Sequence, residues 1–167
     1  MANQVKVVNA LSVFNKVKDI LETQENLAEI NSLIYKYDSN GSFRGVIVGN
    51  YKMIGQYPCA VVIPGDITIS PVATAHTYET IINFEVGVYT KNIMMHEAFK
   101  MHWELAQLIW EILCSPQYET LEITDTDGTH RLYLFEAFSG LRHGTVEGGA
   151  IRASLIICKA YERKNVL

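Results

Sequence analysis

A chain of 167 residues that is 49% apolar and 19% charged is long enough for one domain with one substantial core. Its formal charge of −4 argues against sequence-independent nucleic-acid binding, which depends on a clustered positive field. No apolar run reaches the roughly 18 residues of a spanning helix, and Cys59, Cys114 and Cys158 are too sparse and odd in number for a disulfide framework.

The cysteines sit among apolar neighbours, which predicts three buried free thiols in a reducing compartment. The N-terminus, MANQVKVVNALSVF, lacks the pattern of a signal peptide, so a chain made in and kept in a cytoplasm is expected. The charged share lies below the roughly 25% of typical soluble domains. Together with nine tyrosines, this points to extra buried surface, either a subunit interface or a large aromatic core.

In chain order, Asn9–Leu21 places Ala10, Val13, Phe14, Val17, Ile20 and Leu21 on one helical face, with Asn3 or Asn9 as cap. A weaker turn through Leu27 and Ile30 follows, and Leu33–Asp38 reads as extended. Ser39-Asn40-Gly41-Ser42 is a turn by composition, and Val46-Ile47-Val48 a short returning strand. With Gly45, Gly49 and Gly55, residues 39–56 form a surface excursion. Tyr57–Gly65 reads as a strand closed by Pro58 and Pro64 and buried on both faces, with a short arm through Ile67 and Ile69. His76–Thr90 alternates as a half-buried strand, turning Ile82, Phe84, Val86 and Val88 one way.

His96–Cys114 is the longest helical pattern. Glu97, Lys100, Glu104, Gln107 and Glu111 draw one polar stripe, and the rest is apolar enough to predict burial of most of its girth, Trp103 and Trp110 included. Leu121–Thr124 and Arg131–Phe135 flank Asp127-Gly128, a hairpin signal. Residues 139–149 read as a mobile glycine-rich loop, and Ala150–Tyr161 as a last strand whose apolar side includes Ile151, Ala153, Leu155 and Ile157. The expected fold is therefore α+β, a single domain over 1–167. A mostly antiparallel β-sheet packs against one long buried helix plus an N-terminal amphipathic helix.

Chemistry finds little footing. No two of His76, His96, His102, His130 and His143 have the spacing of a helical zinc pair. Asp125-Thr126-Asp127-Gly128 lacks the rest of a calcium loop, and no phosphate loop, dinucleotide fingerprint or nucleophile elbow is present. Glu97, Glu104 and Glu111 lie on the wet stripe, as a solvated face would. No catalytic residue, cofactor or metal site is nominated.

Three stretches carry a resemblance: Tyr57–Ile63, the Phe84–Thr90 strand leading into the Ala98–Leu113 helix, and AIRASLIICKA at Ala150–Ala160. In that order the chain resembles the tail terminator and tail completion proteins of long-tailed bacteriophages. The resemblance implies a virion structural protein without catalytic residues or cofactors. It would form a homohexameric ring at the head-proximal end of the tail, made in the host cytoplasm, off the membrane. Its partners would be other copies of itself, the tail tube protein and a head-completion or neck protein, with DNA passing through the ring without specific binding. Candidate assembly contacts are Tyr51, Lys52 and Met53 in the excursion, Leu141, Arg142, His143 and Glu147 in the glycine-rich stretch, and Arg152 and Lys159 on the last strand. The alternatives are a head–tail connector or neck protein and, in another class, a cytoplasmic enzyme or small-molecule-binding domain.

Overall fold

A computed structural model describes residues 10–71, 77–91, 96–124, 128, 130–137 and 140–165. Asn3, Asn9, His76 and the Asp125–Asp127 tip lie outside these residues. The architecture corrects the expected one. Among the described residues there are three helices rather than one long buried helix plus an N-terminal one. The sheet has seven strands, is mixed, and curls into a half-barrel.

Helix α1 spans Ala10–Leu21 and buries Val13, Phe14, Val17, Ile20 and Leu21, as its periodicity dictates. Helix α2, Gln24–Tyr37, runs through the stretch expected to be extended. Its helical signal is Asn26, Ile30 and Ile34, all buried at steps of four. One of the three is polar and needs a partner there, so the apolar count understates the face. The Asn26 side-chain amide donates to the Ile20 carbonyl at 2.6 Å and to the Tyr118 hydroxyl at 3.1 Å. The Thr23 hydroxyl caps α2 by accepting from the Asn26 N–H at 3.3 Å.

Strand β1 is Val46–Val48, β2 Cys59–Pro71 and β3 Thr77–Lys91. Helix α3, His96–Leu113, separates them from β4 Thr120–Thr124, β5 His130–Glu136, β6 Leu141–Val146 and β7 Ile151–Asn165. The sheet order is β1-β2-β3-β7-β5-β4, with β6 also on β7. Only β1 pairs in parallel, on Ala60–Val62; the other pairings are antiparallel. The stretch expected as a glycine-rich loop is thus largely strand. β5 and β6 lie end to end along one edge of β7, from Leu134↔Tyr161 to Val146↔Ile151. The glycines at 148 and 149 serve only the turn into β7, where both take positive φ.

One face of the sheet carries the main core. Ile82, Phe84, Val86 and Val88 of β3, with Ile156, Cys158 and Ala160 of β7, lie under the three helices. Helix α3 contributes Leu105, Ala106, Ile109, Ile112 and Leu113, but Phe99 and Trp103 stay 46% and 44% exposed. It buries one face, not most of its girth, because a helix laid on a sheet has no second layer above it. Trp110 is half-buried and donates its indole N–H to the Ala137 carbonyl. On the opposite sheet face a second cluster joins Cys59, Val61, Tyr89, Ile151 and Ala153, covered by Tyr51, Ile54 and Tyr57. Both faces of β7 are apolar for this reason. Cys59 and Cys158 are buried, and burial pushes the Cys59 thiol up to about 12. Cys114 is exposed, against expectation, because it follows the last turn of α3.

Gly87 sets the back cluster. A Cβ there would meet the Tyr89 ring at 2.5 Å, and that ring is buried and stacks on Tyr51 at 6.4 Å. Gly87→Ala forces the ring out of its place and is expected to lower unfolding free energy by about 1–3 kcal/mol in urea titration, without changing the unfolding slope.

Candidate assembly surface

The surface is built where α3 crosses the far end of β6 and β7. Phe99 and Trp103, one helical turn apart, share one edge of α3. They were expected in the core, but they lie between the buried stripe and the wet one. The His143 ring, on β6, stacks on Trp103 with centroids 4.0 Å apart and planes at 21°. The guanidinium carbon of Arg152, on β7, lies 5.1 Å from the Phe99 ring centre, a cation–π placement. On the other side of the two aromatics, Lys36 and Tyr37 at the end of α2 complete a groove of about 750 Å³, lined also by Glu97, Lys100 and Glu104. Lys36 and Glu104 pair across it at 3.3 Å.

Beneath the aromatics runs a chain of polar groups. Thr90 Oγ1 lies 2.8 Å from His102 Nδ1, His102 Nε2 lies 2.7 Å from Ser154 Oγ, and Ser154 Oγ lies 2.6 Å from His143 Nδ1. The serine hydroxyl has one proton, so it donates to one imidazole and accepts from the other. With both rings neutral, all three bonds run in one direction, each polarising the next. A serine between two histidines suggests nucleophilic chemistry. Ser154 is wholly buried, however, and an incoming carbonyl has no approach to its oxygen. The chain joins α3 to the sheet. Among the described residues no group of His, Cys, Asp and Glu is arranged to hold a metal ion.

The nominated contacts divide between the sheet's two faces. His143 and Arg152 meet at this surface, although sequence gave no sign that Trp103 and Phe99 would join them. Leu141 is half-buried and packs on the main core. Arg142, opposite Leu155, turns toward the back face, as does Lys159, opposite Asn83 and Glu136. Tyr51 covers the back cluster, while Lys52 and Met53 are exposed beside it. Glu147 is exposed in the β6–β7 turn with φ of 52°. The missed members, Thr90, His102 and Ser154, had one legible sign. His102 falls on the same face of α3 as Leu105, Ala106 and Ile109, where a polar ring must find partners.

No protein-family model matches the chain, and no curated protein matches it. The fold is shared with a solved chain from the virion of a native gene transfer agent particle, at a TM-score of 0.56 and 13% identity. That match covers 93% of this chain and 97% of the other. A second solved protein matches at a TM-score of 0.40 and 16% identity, over 95% of this chain and 94% of its own. At these identities the likeness concerns fold alone.

Two outcomes are expected from this geometry. Trp103→Ala loses well under the about 2–5 kcal/mol expected for Ile109→Ala when both are unfolded in urea, since the indole is already half in water. Burial holds the His102 imidazole down at about 4, with His143 and Arg152 adding to the effect. Its folded-state pKa lies below the unfolded one, so its neutral form contributes stability that is complete above about pH 6.5. That contribution, on the order of 3 kcal/mol, is lost as pH falls from about 6.5 to about 4. Replacing His102 by Gln should flatten the dependence of unfolding free energy on pH in that window.

Proposed function

We propose that this chain is a structural subunit of a phage-type virion, and within that class a tail terminator. It would close a ring, taken as six copies, on the head-proximal end of the tail tube, stop the tube growing and present the face that the neck or head-completion protein joins. The observation that carries the reading is the end-to-end match in fold with a chain of a gene transfer agent virion, which leaves almost nothing of either chain unmatched. The earlier resemblance of the Tyr57–Ile63, Phe84–Leu113 and Ala150–Ala160 stretches to tail terminators narrows the class. A third support is physical. Phe99, Trp103, Ile67, Ile69, Leu132 and Leu134 remain exposed in a domain whose core is otherwise closed, and apolar surface of that kind is covered in assembled proteins.

The reading assigns no reaction to the chain. DNA would pass through the ring unbound, and a net charge of −4 on each copy disfavours retention of a polyanion. Particles assembled without this chain are expected to carry tubes of uncontrolled length and no attached heads, seen by negative-stain microscopy. Adding the purified protein during assembly should restore a single tube length. Tubes of normal length without the chain would refute the terminator role.

A further inference from the structure

We infer that the Arg152 surface receives the distal half of β2 from a second copy of this chain, with Asp66 as the ionic partner and Ile67 and Ile69 as the apolar contact. The inference rests on the assembly reading for its biological meaning, while the contact itself is a property of the purified protein.

The acceptor side lacks an anion. Arg152 Nε is buried without a hydrogen-bond partner, and no carboxylate pairs with its guanidinium among the described residues. Its guanidinium carbon lies over the Phe99 ring, next to the groove that Tyr37 and the exposed Trp103 line. Of the acids lining that groove, Glu104 is engaged by Lys36, and Glu97 makes no ion pair with Arg152 among the described residues. What fits is a carboxylate carried next to aliphatic side chains.

The donor side has that composition. Beyond Ile63, residues 64–70 of β2 are all exposed, and β1 pairs only with Ala60–Val62. Ile67 and Ile69 are 42% and 45% exposed and two residues apart, so they share a face. Asp66 precedes Ile67 in the bulge between Pro64 and Ile67, where the regular alternation of side chains is interrupted, and its carboxylate has no ion pair among the described residues. The two sides cannot meet within one molecule. Ile67 is in register with Ile82 and through it with Ala160, eight positions along β7 from Arg152, roughly 25 Å away. A contact between two unlike surfaces at opposite ends of one sheet is head-to-tail, and such contacts propagate in one direction and can close into a ring.

The test is a charge-reversal cycle on the full-length protein, read by sedimentation equilibrium over a wide concentration range, with circular dichroism to verify folding. Asp66→Arg and Arg152→Glu are each expected to weaken self-association by at least about tenfold, and the double variant to recover to within about threefold of the parent. If Arg152→Glu unfolds, Arg152→Gln and Asp66→Asn make the same cycle without reversed charge; losses there that fail to add support the contact. Ile67→Ser with Ile69→Ser should also weaken association. A parent that stays monomeric throughout, single variants that associate like the parent, or strictly additive losses would overturn the contact. Self-association through these residues in particles whose tube length ignores the protein would sink the terminator reading and leave this contact standing.

Discussion

Strands β3 and β7 are paired along fifteen residues each, from Thr77↔Asn165 to Lys91↔Ile151, and the rest of the molecule is placed by that pairing. A slip of one residue between them would turn the faces of β7 over relative to those of β3. With Phe84 and Val86 kept under the helices, Ile156, Cys158 and Ala160 would leave them, and Ile157 and Lys159 would enter in their place. The register is therefore held by burial on both sides, not by hydrogen bonds alone. β2 takes its position from β3, and β5 and β6 from successive stretches of β7, while β1 and β4 follow in turn from β2 and β5. A buried ion pair, Arg131 to Glu162 at 3.4 Å, also joins β5 to β7.

What could be read from sequence follows how far each element's pattern is local. α1, α3, β3 and the β4–β5 pair carry their own periodicity, and the structure gives them bounds within a residue or two of the expected ones. α2 contains the turn expected through Leu27 and Ile30, but its continuation through Leu33–Tyr37 is not legible, because its inward positions are Asn26, Ile30 and Ile34, and the polar one is satisfied by Ile20 and a tyrosine 92 residues away. No local pattern announces such a partner. β6 was missed for a related reason. Arg142, His143, Gly144 and Thr145 are all exposed, and the segment is strand only because β7 offers an unpaired edge there. Parallel β1 is likewise defined by its neighbour.

The candidate surface was half legible. His143 is legible as a titratable group in the glycine-rich stretch and Arg152 as a charge on an apolar strand, but their company is not. The helical stripe of Glu97, Lys100, Glu104, Gln107 and Glu111 is indeed the exposed side of α3. It says nothing of where the stripe ends, and Phe99 and Trp103 lie at that border. The polar chain from Thr90 to His143 explains why the border is fixed. It ties a buried position of α3 to β3 and β7, and through Ser154 to β6, so the helix cannot roll to bury its aromatics without breaking the two hydrogen bonds that His102 makes in a dry interior.

The sheet's own edges bear on how such a molecule meets its neighbours. A free β-edge invites any other edge, and β2 blunts its edge in the ways natural sheets do. Pro64 and Pro71 withhold donors, Asp66 puts a charge on the strand, and a bulge between Pro64 and Ile67 twists the backbone. Gly65 belongs to that bulge, since a Cβ there would press on the Asn83 carbonyl at 2.5 Å. Backbone pairing is thus discouraged on both sides of Ile67–Ser70, while the side chains of Ile67 and Ile69 stay presented to solvent. A strand guarded against indiscriminate pairing yet left apolar at two positions is suited to recognition through side chains, which is selective in a way that edge-to-edge hydrogen bonding is not.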